Sequence, residues 1–171
     1  MKLKRAAFTL IEMMIAITIL SIMMLFLYKS YANLNISNSN LKQETNRLLK
    51  IQKIKKVIYL DFLTALYHST TIINREKNED FVVLQTSHSI HQRFNPYVTY
   101  IVKYKKLYRL ESLKKIAEYE LASDSEFDID YIGEVNSFRF YKSKEKEIFL
   151  VHIDFKNMDE ILLKIKPLNE Y

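Results

Sequence analysis

Lys4-Arg5-Ala6-Ala7-Phe8-Thr9-Leu10-Ile11-Glu12 is the stretch that decides how the rest of the chain is read, because a short basic leader meets a long apolar run there. From Phe8 to Tyr28 the run is interrupted only by Thr9, Glu12, Thr18 and Ser21. At about 1.5 Å per residue a helix over this stretch reaches roughly 30 Å, the thickness of a bilayer's hydrocarbon core. Lys2, Lys4 and Arg5 precede it, so the positive-inside rule keeps the N-terminus in the cytoplasm and sends everything after Tyr28 across. A secretory signal peptide would show a small-residue cleavage site after the run, whereas Tyr28, Lys29, Ser30 and Tyr31 follow here. Glu12 is the one residue at odds with its surroundings, since a carboxylate in lipid is costly unless it protonates or finds a cation.

Outward from this stretch, the first proline is Pro96 and the only glycine is Gly133, so nothing in the first 95 residues forces a backbone break. The helix is expected to continue beyond the membrane. Leu34, Leu41 and Leu48 repeat every seven residues, and Ile51, Ile54, Ile58, Phe62 and Leu66 follow at threes and fours. That predicts one apolar stripe on a helix otherwise covered by residues such as Lys42, Arg47, Lys50, Lys53 and Lys56, ending near His68. From Thr70 onward the period becomes two. Phe81 to Leu84 is a short apolar run, and Val98, Tyr100, Val102 and Tyr104 share a face of the next candidate strand. Lys105 and Lys106 are expected to turn the chain into Leu107 to Leu110. Phe138 and Phe140 with Ile148 to Phe155 predict a second pair, and Ile161 to Ile165 a last strand before Pro167. The expected fold class is α+β: a long N-terminal helix, membrane-spanning in its first half and amphipathic in its second, packed on a small antiparallel sheet. The expected division is a leader at 1–7, a transmembrane half at 8–28, the amphipathic continuation at 29–68 and a sheet domain at 69–171.

Composition narrows the function. The chain has 171 residues and no cysteine, which excludes a disulfide scaffold and cysteine-ligated zinc. One glycine and two prolines exclude glycine-rich phosphate loops and nucleotide fingerprints. The net charge of +6 suggests nucleic acid at first sight, but removal of the leader lowers Lys+Arg from 26 to 23 against 20 acids, a balance of +3. The electrostatic case for a nucleic-acid binder is then weak.

A basic leader, a small residue, then Phe8 and a lone Glu12 inside an apolar helix resemble the type IV prepilin and type II secretion pseudopilin superfamily. The resemblance implies cleavage by a membrane prepilin peptidase between Ala7 and Phe8 and N-methylation of the new Phe8 amine. Glu12 would be the signature acid, pairing with the Phe8 amine of a neighbouring subunit in the assembled filament. Ala7 stands where the family usually has Gly. Looser likenesses point to a J-type minor pseudopilin: Asp61 at the end of the helix, the hairpin Tyr97 to Arg109 with Leu107-Tyr108-Arg109, and Ile132-Gly133-Glu134-Val135 as a turn leading to Phe138, Phe140 and Tyr141. The resemblance implies a minor structural subunit of a type II secretion pseudopilus, not an enzyme, with other minor and major pseudopilins and an inner-membrane assembly platform as partners. It would be a single-pass protein of the bacterial inner membrane, its C-terminal domain periplasmic, later built into a filament. A type IV pilus or a DNA-uptake competence pseudopilus shares the same N-terminal physics. A signal-anchored periplasmic enzyme or binding protein is the reading of another class.

Other constellations carry less. Asp124, Glu126, Asp128 and Asp130 alternate and could offer oxygens to Ca²⁺ from one strand face, but they lack an EF-hand's glycine and closing acid, and on a polar loop they repel into solvent. His88 and His91 lack a third metal ligand and read as loop residues. His68, His152 and Asp154 make a catalytic triad only if the fold is assumed, and His152 reads as the polar face of a strand. No metal, cofactor or catalytic group is expected.

Overall fold

The computed structural model describes residues 9–66, 68–76, 78–116, 126–143 and 148–168, and it divides into two units, 1–47 and 48–171. A single helix, α1 (Leu10–Leu63), runs through both, followed by seven strands: β1 (Thr71–Glu76), β2 (Glu79–Gln85), β3 (Tyr97–Lys103), β4 (Lys106–Ser112), β5 (Phe127–Lys142), β6 (Phe149–Phe155) and β7 (Ile161–Ile165). The class is α+β, as expected.

In the first unit α1 exposes its apolar side chains throughout, from Leu10 at 81% to Phe26 at 73%. It is long and apolar enough to cross a membrane. Leu34 and Leu41 are also exposed within this unit, and within the second unit the sheet leaves Leu48 exposed. Burial on the helix begins at Ile51 and continues at Ile58, Asp61 and Phe62.

The helix stops at Leu63 rather than near His68. The cause is local and tertiary together. Thr64 turns its hydroxyl back onto the Leu60 carbonyl (2.9 Å) and meets the Thr86 hydroxyl (2.8 Å). The Leu66 amide then donates to the Gln85 carbonyl, and the Leu168 amide donates to that of Leu63, so groups freed at the helix end are taken up by the β2 end and the C-terminal segment. His68 lies at a left-handed φ of 53° and Leu66 falls outside the helix.

The strands form one sheet in the order β1-β2-β3-β4-β5-β6-β7, antiparallel between neighbours, with a parallel contact of β2 to β5 at Glu79 and Phe138. β1 had no clear signal in the alternation. The hairpin β3–β4 turns at Tyr104 and Lys105, both at positive φ (53° and 58°), so Lys106 belongs to β4 and Tyr104 is exposed instead of sharing the Val98 face. Gly133 is not a turn residue. It lies within β5, where a Cβ would meet the Phe155 ring at 3.0 Å and Met158 at 3.1 Å, so absence of a side chain there serves close packing.

β5 is the spine. Its first half pairs with β4 and its second with β6, and a bulge sits at Ile132 and another at Asn136. The core lies between α1 and the sheet: Phe62 stacks on Phe140 (4.7 Å between centroids) and on Tyr100 (5.7 Å), with Ile58, Val98, Phe138 and Phe149 around them. A smaller apolar cluster of Phe81, Val83, Ile101 and Leu110 occupies the opposite face.

Candidate functional site

Two constructions stand out, one in each unit. At the start of α1, Thr9 is the N-cap. Its amide donates to Glu12 Oε2 (2.9 Å), its hydroxyl donates to the same oxygen (2.8 Å), and the Glu12 amide lies 3.4 Å from the Thr9 hydroxyl oxygen. This is a reciprocal capping box, in which a Thr and a Glu three residues on satisfy donors that the first helical turn cannot. Glu12 therefore has a hydrogen-bonding partner in its own chain. The signal was present as Thr-x-x-Glu ahead of an apolar run. Glu12 Oε1 has no partner among the described residues. Ala7 and Phe8 lie outside the described residues.

In the second unit the last turn of α1 is locked to the sheet by a buried polar cluster. Asp61, fully buried, accepts from Arg109 Nε at Oδ2 (2.7 Å), from Arg109 Nη2 at Oδ1 (3.2 Å) and from the Tyr100 hydroxyl (2.6 Å), and His88 Nδ1 lies 2.5 Å from Oδ1. Arg109, also fully buried, uses Nη1 for Glu111 (2.8 Å) and Asp130 (3.1 Å). Glu111 in turn accepts from the Ser89 hydroxyl and from the Ile90 amide. The guanidinium thus joins α1, β4 and β5, and the carboxylates of Asp61 and Glu111 bring in β3 and the loop between β2 and β3.

The electrostatics follow from burial opposed by pairing. Burial acts against charge on Arg109, but the hydrogen bonds and charge of Asp61 overcome it and raise its pKa further. Burial likewise acts against the Glu111 carboxylate, and the hydrogen bonds from Ser89, Arg109 and Ile90 overcome it, holding it below the usual range. Burial, and then the adjacent Asp61 charge, push the Tyr100 hydroxyl well above its ordinary value, so it stays a donor. Every group here faces another protein group. The arrangement fastens the end of α1 to the sheet, with each side-chain nitrogen of Arg109 and each carboxylate oxygen of Asp61 bonded to a protein group.

Asp61 and the Leu107-Tyr108-Arg109 hairpin end were singled out by resemblance, and the structure joins them. A purely physical signal existed too. Asp61 falls three residues after Ile58 on the buried stripe, and Arg109 alternates with Leu107 on the core face of β4, so each charge needs an opposite one inside.

Asp128 and Asp130 are strand residues of β5, and Glu126 lies just before it. Asp128 accepts from Arg93 (2.9 Å), Asp130 faces both His91 (3.1 Å) and Arg109, and Glu126 is exposed. Asp124 lies outside the described residues. His88 faces Asp61 and His91 faces Asp130, and no group of three or more ligating side chains that could hold a metal occurs among the described residues. His152 is partly exposed on β6, 3.6 Å from Glu160.

No curated protein matches the chain. Residues 2–28 match the family model described as the Prokaryotic N-terminal methylation motif, so the chain carries a prepilin-type start, which supports a subunit of the type IV pilin or pseudopilin kind.

Proposed function

We propose that the chain is a minor pilin-like structural subunit, cut by prepilin peptidase between Ala7 and Phe8, methylated on the Phe8 amine and assembled into the tip or body of a type II secretion pseudopilus. The observation that carries this reading is the methylation motif at 2–28 running without a break into a 54-residue helix whose apolar first part is exposed. The basic leader ahead of Phe8 sets the cut at the cytoplasmic face and the sheet domain on the periplasmic side.

Glu12 takes two parts in this scheme. Through Oε2 it caps its own helix at Thr9, and Oε1 remains for the Phe8 amine of the next subunit. The cap uses nothing before Thr9, so removal of residues 1–7 leaves it intact. The work of the protein is assembly with other minor and major pseudopilins on an inner-membrane platform, and the J-type assignment rests on Asp61 and the hairpin ending at Arg109.

Intact-mass spectrometry of the membrane-extracted protein tests the reading. The expected mass is that of residues 8–171 plus one methyl group. A chain still beginning at Met1 in cells with an active peptidase overturns it.

A further inference from the structure

Among the described residues the first half of β5 has a partner strand on one side only. Hydrogen-bond direction alternates along a strand, and the two-residue turn at Tyr104 and Lys105 sets the phase: Lys103 and Lys106 face each other, so Arg109 and Glu111 direct their backbone groups toward β5. Asp130 and Asp128, opposite them, point back toward β4. Ile129 and Tyr131 therefore direct their amides and carbonyls away from β4, and among the described residues no strand pairs with them. The phase is consistent further along, where the Val135 amide reaches the Lys105 carbonyl and the Glu134 carbonyl on the other side accepts from Lys156. The neighbouring strand β6 covers this side only from Val135 onward.

Natural sheets shield such edges with charge, proline or a covering element. This one carries Ile129 at 57% and Tyr131 at 53% exposure. It also borders a cleft of about 380 Å³ lined by Lys50 and Lys53 of α1 and by Arg109 and Asp130 of the sheet, three cations against one acid that is already paired with Arg109 and His91. The volume is within the roughly 300–1,000 Å³ of ligand sites. Neither Lys50 nor Lys53 has an acid within ion-pair reach among the described residues.

We infer that the open edge of β5 at Ile129 and Tyr131 takes an added strand from a partner protein, an extended segment alternating acidic and apolar residues. The backbone edge supplies hydrogen bonds, and the alternation supplies selectivity. Side chains of the added strand on the α1 side would lie in the cleft near Lys50 and Lys53, which calls for carboxylates. Those on the opposite side would lie beside Ile129 and Tyr131, which calls for apolar groups.

The test uses the full chain in a non-ionic detergent and a fluorescent synthetic peptide, Asp-Val-Glu-Leu-Glu-Val-Glu, which has this alternation and does not occur in the chain itself. Anisotropy should show saturable binding. The same peptide with alternate backbone amides methylated should bind about tenfold or more weakly, since it loses ladder hydrogen bonds. Lys50→Glu with Lys53→Glu should weaken the unmodified peptide to a similar degree. Ile129→Pro, which removes a donor from the open side and leaves the β4 ladder intact, should do the same while circular dichroism stays unchanged. Absence of binding, equal binding of the methylated peptide, or self-association of the chain through this edge in place of peptide uptake overturns the inference. Should Ile129→Pro perturb the fold, the lysine variants and the methylated peptide decide it alone.

Discussion

Asp61→Asn is the perturbation that reports most directly on the buried cluster. The substitution keeps the shape of the side chain but removes its charge and turns one acceptor into a donor facing the guanidinium. Asp61 takes bonds from Arg109, Tyr100 and His88, so three elements lose a shared acceptor at once. Removing one partner of a buried ion pair costs about 3–5 kcal/mol. Glu111 and Asp130 still face Arg109, which places the expected loss near about 3 kcal/mol. With a urea dependence of about 2 kcal/mol per molar, the midpoint should fall by roughly 1.5 M. The protein has 12 tyrosines and no tryptophan, so near-ultraviolet circular dichroism of the tyrosines, with the full chain in non-ionic detergent, is a suitable probe. A double-mutant cycle with Arg109→Met should return a coupling of about 1 kcal/mol or more. A midpoint shift below about 0.5 M, or a coupling near zero, would show that the cluster does not hold the helix end to the sheet.

Glu12→Gln preserves the capping box, because an amide oxygen can still accept from Thr9, but removes the charge; assembly should fall in a copurification assay while helicity stays unchanged, whereas Thr9→Val should reduce cap formation and leave the Glu12 charge in place. The pH profile should be bounded on both sides. Glu111 has a depressed pKa, so its contribution is complete above its ordinary value of about 4.5 and is lost as pH falls below that, whereas Tyr100 has a raised one, so its contribution is complete below pH 10 and lost above it, and Tyr100→Phe should soften the alkaline decline in a series of melts. The fragment 48–171 should melt cooperatively and be indifferent to EDTA, while a fragment starting at Thr70 should aggregate without Ile58 and Phe62; a drop in melting temperature with chelator would reveal a bound cation. Gly133→Ala should destabilise by about 1–3 kcal/mol in a urea titration because its methyl would press on the Phe155 ring.

The parts of the fold that were legible in the sequence are those where one residue's neighbours carry the information. Ile161 to Ile165 was readable because an apolar pattern is closed off by Pro167, and the pair formed by Phe138, Phe140 and Ile148 to Phe155 because the alternation is unbroken. The helix was readable to within about a turn and a half because no glycine or proline interrupts it, but its end was set by Thr86, Gln85 and Leu168, which no local pattern reveals. Periodicity puts Leu48 and Ile51 on one stripe, yet only the sheet's position decides that Ile51 is buried and Leu48 exposed. At the helix start the motif was plain and the capping geometry was spelled out in four residues. In the buried cluster Asp61 and Arg109 were visible, and the pairing of Asp61 with partners 27 to 48 positions away was not.

The two bulges of β5 bear on which changes of chain length this protein can inherit. Leu107 opposes Gly133 while Tyr108 opposes Tyr131, and Phe155 opposes Val135 while Asp154 opposes Ser137. Ile132 and Asn136 are thus surplus to the ladders, and β5 has the form of a regular strand that has absorbed two single-residue insertions. Loss of the exposed Asn136 would regularise its pairing and leave Phe138 and Phe140 facing the core. Loss of one residue from the ladder between Asp128 and Tyr131 has no such outlet and would turn part of the strand over. Along this one strand, a single codon can be dropped at Asn136 with less disturbance than a few positions earlier, so tolerance to deletion is set by the ladder and not by distance from the ends of the element.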